Sequence, residues 1–103
     1  MAVQGVVTDF SFENPHVLIW LEVENSDGTT TSWISQGEAA TRFRLAGWNE
    51  DTINLGDYIR VIGKGTHDNS PGIWIEQIEL LDPITGALIK ELNPHDYSEP
   101  EED

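Results

Sequence analysis

Asn14-Pro15-His16-Val17-Leu18-Ile19-Trp20-Leu21-Glu22-Val23-Glu24 is the stretch that decides the fold. From His16 onward its side chains alternate with the period of a β-strand. Val17, Ile19, Leu21 and Val23 fall on one face, and His16, Leu18, Trp20, Glu22 and Glu24 fall on the other. Pro15 has no amide hydrogen to give to a ladder and biases Asn14 toward extended backbone, so it belongs at the strand's entrance. A strand this rich in β-branched and aromatic residues requires partners on both sides.

Those partners are found by working outward. Residues 3–12 read as a preceding strand, with Gly5 marking a bulge or a sharp bend. Asn25-Ser26-Asp27-Gly28 reads as a hairpin turn into a third strand over residues 29–35, which carries Trp33 and Ile34. The period then changes. Between Gly37 and Gly47, Ala39, Phe43 and Ala46 share one helical face; Gly47 suits a helix stop, and Trp48 is placed to pack the helix end onto the sheet. Gly56-Asp57 opens a fourth strand over 58–63, residues 64–72 form a loop, and further strands follow over 73–81 and 87–92.

Three strands, a helix, then more strands is the order of a small OB-like barrel: mainly β, five- to six-stranded, with one helix between strands three and four. The rival arrangement is a β-sandwich or an SH3-like roll with an incidental helix. A chain of 103 residues supports one domain, which we place over residues 1–92. Residues 93–103 read as an acidic, flexible tail.

Composition bears on partners. Five Lys and Arg stand against nineteen Asp and Glu, for a formal net charge of −14. Nucleic-acid affinity comes largely from basic side chains displacing counterions at phosphates, so this balance predicts no nucleic-acid partner. No apolar run approaches the roughly 20 residues of a membrane span, so no membrane insertion is expected. The absence of cysteine excludes disulfides and thiolate ligands. A small ligand, a protein partner or a second copy of the chain remains.

Asn14-Pro15-His16 before an alternating strand, Trp33 in the next strand, Gly47-Trp48 after the helix and Gly56-Asp57 before a later strand resemble an uncharacterised family of small exported bacterial proteins. The resemblance runs over about residues 5–90. It implies a periplasmic or secreted location, with a leader absent from the sequence at hand; a cytoplasmic location is the alternative. It lends no activity. Where that family tends to place an arginine directly before Gly-Trp, this chain has Ala46.

No catalytic motif of defined spacing is present. The residues best suited to chemistry are His16 and His67, because an OB-like barrel raises the loop between strands one and two beside the loop between strands four and five. With Asp68, they form a candidate metal set for Zn or Cu, or an acid–base group. Trp20, facing away from the predicted interior, is joined by Trp33 and Trp74 as a candidate ligand surface with the two histidines. The leading reading is a non-enzymatic binding module for a small molecule, a metal or a partner, with its site at the His16 loop, the Trp20 strand and the His67 loop. Two alternatives stand beside it: a small enzyme using His16, His67 and Asp68, and a homodimer pairing through the Trp20 face.

Overall fold

A computed structural model describes residues 1–95. Six strands and one helix follow in the expected order: β1 (Ala2–Phe12), β2 (Val17–Glu24), β3 (Thr30–Gln36), α1 (Ala40–Leu45), β4 (Tyr58–Gly65), β5 (Gly72–Leu81) and β6 (Leu88–Glu91). The sheet order is β3-β2-β1-β4-β5-β6, and a parallel pairing of β3 with β5 closes the first five strands into a barrel. The architecture is OB-like, with β6 added outside the closure.

Closure depends on β1 serving two neighbours. Ala2 to Val6 pair with β4, while Val6 to Phe12 pair with β2. The changeover falls at Val6, and at the adjoining Gly5 any side chain would collide with the backbone carbonyl of Glu22. Only glycine lets the two strands approach so closely there. A register shift between Val7 and Asp9 adds further bend.

The alternation in β2 is realised as predicted. Val17, Ile19 and Leu21 are completely buried, beside Val7, Ile59, Val61, Ile73, Ile75 and Ile78. Each such side chain contributes about 1.5–3 kcal/mol on leaving water, so the barrel interior is the main source of stability. Phe43 from α1 plugs the end of the barrel. It packs edge-on against Trp48 at 5.0 Å and against Phe12 at 6.3 Å. Gly47, at φ 93°, stops the helix. Within α1 the buried residues are Ala40 and Phe43. Ala39 is extended backbone at the N-cap, so the expected Ala39-Phe43-Ala46 stripe begins one residue too early.

The described chain continues past β6 to residue 95. Residues 93–95, assigned to the tail, are docked on the domain. Pro94 is fully buried, the Leu92 amide donates to the Ile78 carbonyl, and the Trp48 indole N–H donates to the Leu92 carbonyl at 3.2 Å. His95 stands 3.5 Å from the Glu38 carboxylate. The remaining expectation of a flexible tail falls on residues 96–103, outside the described residues. No helix among the described residues is long and apolar enough to cross a membrane.

Candidate ligand-binding face

The loop that opens β2 is tied to the segment entering α1. The Ala40 amide donates to the Glu13 carbonyl, and the Thr41 amide donates to Asn14 Oδ1, each at 3.2 Å. The Val17 amide reaches the Glu38 carbonyl at 2.9 Å, and the Gly37 amide returns to the Val17 carbonyl at 2.8 Å. The Asn14–Pro15 peptide is cis. His16 completes this set: its Nδ1 lies 3.0 Å from the Gly37 carbonyl oxygen. A carbonyl only accepts, so Nδ1 carries the hydrogen. The ring itself is exposed and meets Trp74 edge-on, with centroids 6.1 Å apart at 80°.

From His16 the outer surface of the barrel continues as two rows. One runs Leu18, Gln36, Trp74 and Lys64 across β2, β3, β5 and β4. The next holds Trp20 on β2, Ile34 on β3 and Gly72 on β5, with Asp9 beside Trp20 on β1. Trp74 is 37% exposed and Ile34 is 38% exposed, while Leu18 and Trp20 are half-buried. A hollow of about 210 Å³ lies here, lined by Ile34, Gln36, Lys64, Thr66 and Trp74 among others. Rings and aliphatic side chains therefore form an apolar surface on a sheet whose core lies on its other side.

Trp33 does not join this surface. It pairs with Leu21, packs on the core, and lines a separate hollow of about 140 Å³ with Met1, Asn69 and Ser70. Strand alternation forbids neighbours in sequence from sharing a face, so Ile34 takes the outward place and Trp33 the inward one. Gln36 and Ile34 are the contributors that sequence reasoning missed. The signal was the hairpin register, which sets Ile34 opposite Trp20 and Gln36 opposite Leu18.

His67 is exposed in the loop between β4 and β5. Asp68 beside it is engaged by its own turn. Its Oδ1 accepts from the Ser70 amide at 3.1 Å, and bonds from Ser70 and Thr66 hold its carboxyl below the ordinary carboxylate range. Among the described residues, no three His, Asp or Glu side chains are gathered to hold a metal ion. The expected set of His16, His67 and Asp68 for Zn or Cu is thus not assembled: His16 gives one nitrogen to Gly37, and Asp68 is turned into its own loop. The loop ends do converge, since Trp74 follows the His67 loop and touches His16.

The scarce cations are mostly committed elsewhere. Arg60 pairs with Glu79 and donates to Gln4 Oε1, on the outer side of β4. Arg44 pairs with Glu50 at 2.9 Å and lies 4.9 Å over the Phe12 ring. Lys64 adjoins the Trp74 face, with Glu76 at 4.0 Å.

The fold has solved counterparts. It superposes on a ZRD-deleted mutant of TiaS in complex with agmatine at a TM-score of 0.58 and 14% identity, covering 94% of this chain and 27% of that one. TiaS in complex with a tRNA, AMPCPP and agmatine gives 0.50 and 19%, covering 79% of this chain and 18% of that one. A mitochondrial single-stranded DNA binding protein from S. cerevisiae gives 0.51 and 13%, covering 79% of this chain and 92% of that one. The chain thus spans about a quarter or less of the TiaS chains. No curated protein matches.

These neighbours overturn the expectation of no nucleic-acid partner: the same barrel is found in a single-stranded DNA binding protein and in a protein solved with tRNA. The physical reason lies in what net charge measures. It sums over the whole surface, whereas such a barrel binds through one face, and stacking on aromatic rings does not depend on charge. The chain's sequence matches a family of unknown function over residues 1–74 of its 103. By that match the protein belongs to the family of unknown function DUF6152.

Proposed function

We propose that this protein is a non-enzymatic binding module that holds a planar heteroaromatic ring, such as a nucleobase, on the outer face of β2, β3 and β5. The observation that carries the reading is the exposed Trp74, flanked by Ile34, Gln36 and His16, with Trp20 one row away. An uncovered apolar surface of this kind marks an interaction site more often than an accident. It lies on the strands and between the loops with which OB barrels bind.

Stacking contributes about 1–3 kcal/mol per base. Two rings then supply enough for affinities near the millimolar range once ordering costs are met, since 1 mM corresponds to about 4 kcal/mol. The ring could arrive as a free nucleoside or within a single strand, and what the two kinds of solved neighbour bind supports the second source. Lys64 is the cation placed to meet a phosphate. Each such contact on a single strand changes log K by about −0.7 per log salt, so the salt dependence is shallow.

The test is titration of adenosine and of a short single-stranded oligonucleotide, followed by tryptophan fluorescence. Quenching is expected with both, weakened about tenfold or more in Trp74→Ala, with a salt slope no steeper than about −1 for the oligonucleotide. Unchanged binding by Trp74→Ala, or no quenching by either probe, refutes the reading.

A further inference from the structure

We infer that His16 selects which ring is held, by accepting a hydrogen bond at Nε2 from an amino group on the ring's edge. The inference rests on the stacking reading above and narrows its ligand class to amino-substituted heteroaromatic rings.

The argument begins at Gly37. Its carbonyl oxygen fixes the hydrogen of His16 on Nδ1, as the 3.0 Å contact requires. In the neutral imidazole the remaining lone pair then resides on Nε2, at the opposite edge of the ring. None of the described residues hydrogen-bonds to that nitrogen. An exposed acceptor of fixed tautomer therefore stands beside Trp74, whose ring it meets edge-on at 6.1 Å.

The ring is also held in place before any ligand arrives. The backbone after it is paired to Glu38 and Gly37, the preceding Asn14 is bonded to Thr41, and Trp74 braces the imidazole from the side. An acceptor held from three directions loses little freedom when it accepts a bond, so the bond contributes to selectivity rather than to ordering. Gln36, in the same row as Trp74, offers both a donor and an acceptor and does not discriminate. The neutral His16 ring offers only the acceptor.

A purely structural His16 would tie the loop to the segment entering α1 and leave Nε2 unused. The two roles separate by comparing adenosine with purine riboside, which keeps the fused ring and lacks the amine. Wild-type protein is expected to favour adenosine by about three- to tenfold more than His16→Phe does, because Phe keeps the ring contact with Trp74 and removes the acceptor. The ratio in His16→Phe sets the intrinsic stacking preference of the two probes. Equal ratios in the two proteins overturn the inference and leave the stacking reading standing. Absence of binding by both probes to wild-type protein sinks both. Nitrogen-15 NMR of the His16 ring gives a check that needs no variant: the Nδ1–H tautomer is expected of the neutral ring, and a dominant Nε2–H tautomer overturns the inference.

Discussion

Ser35 is the residue most at odds with its surroundings. It is completely buried on the inward side of β3, opposite Ile19 and Ile73, and its hydroxyl has no hydrogen-bond partner among the described residues. An unsatisfied hydroxyl in such a place costs about 1–3 kcal/mol. Ser35→Ala is therefore expected to raise stability by about 1 kcal/mol, read as a higher urea midpoint with an unchanged slope. A lower midpoint would mean that the hydroxyl has a partner, such as a buried water. Ser35 also shows how far single residues were legible. Its parity with Trp33 follows from alternation alone, yet Trp33 looks like a surface aromatic until the hairpin register is known. Type pointed one way and position the other, and position won.

At the scale of elements, three turns are built on aspartates. Asp27 accepts from Thr29, Asp68 from Ser70, and Asp82 from Ile84 and Thr85, and these bonds hold all three carboxyls below their ordinary range. A depressed carboxyl contributes stability that is complete above its unfolded pKa and is lost as pH falls through the lower, folded value. Asp82→Ala should thus lower the urea midpoint near pH 7, and the deficit should shrink as both proteins approach about pH 2. A deficit that persists undiminished in acid would show that the turn depends on shape rather than on charge. Elements whose pattern is local were legible: the β2 alternation, the Asn25–Gly28 turn and the stop at Gly47 each follow from a few adjacent residues. The anchoring of Leu92 was not, because its partners, the Ile78 carbonyl and the Trp48 indole, come from far along the chain.

At the scale of the whole molecule, a net charge of −14 is spread over a barrel with few cations. Compaction brings like charges together, so the folded state carries more repulsion than the unfolded one. Raising salt from about 0.1 M to about 1 M shortens the screening length from about 10 Å to about 3 Å. The thermal midpoint is expected to rise by a few degrees over that range. A fall would show that ion pairs such as Arg60–Glu79 outweigh the repulsion. Charge was legible as a total and misleading as a guide to partners, since it is blind to which face carries Trp74. The closure of the barrel has a mechanical meaning as well. β3 and β5 are joined over three residue pairs, against eight between β4 and β5. That short joint is the clasp of the cuff, and Ile34, Gln36 and Trp74 lie directly across it. A ring held there as proposed would span both sides and resist their parting, so that occupancy and closure would reinforce one another. For a ligand held as proposed, to bind is to fasten.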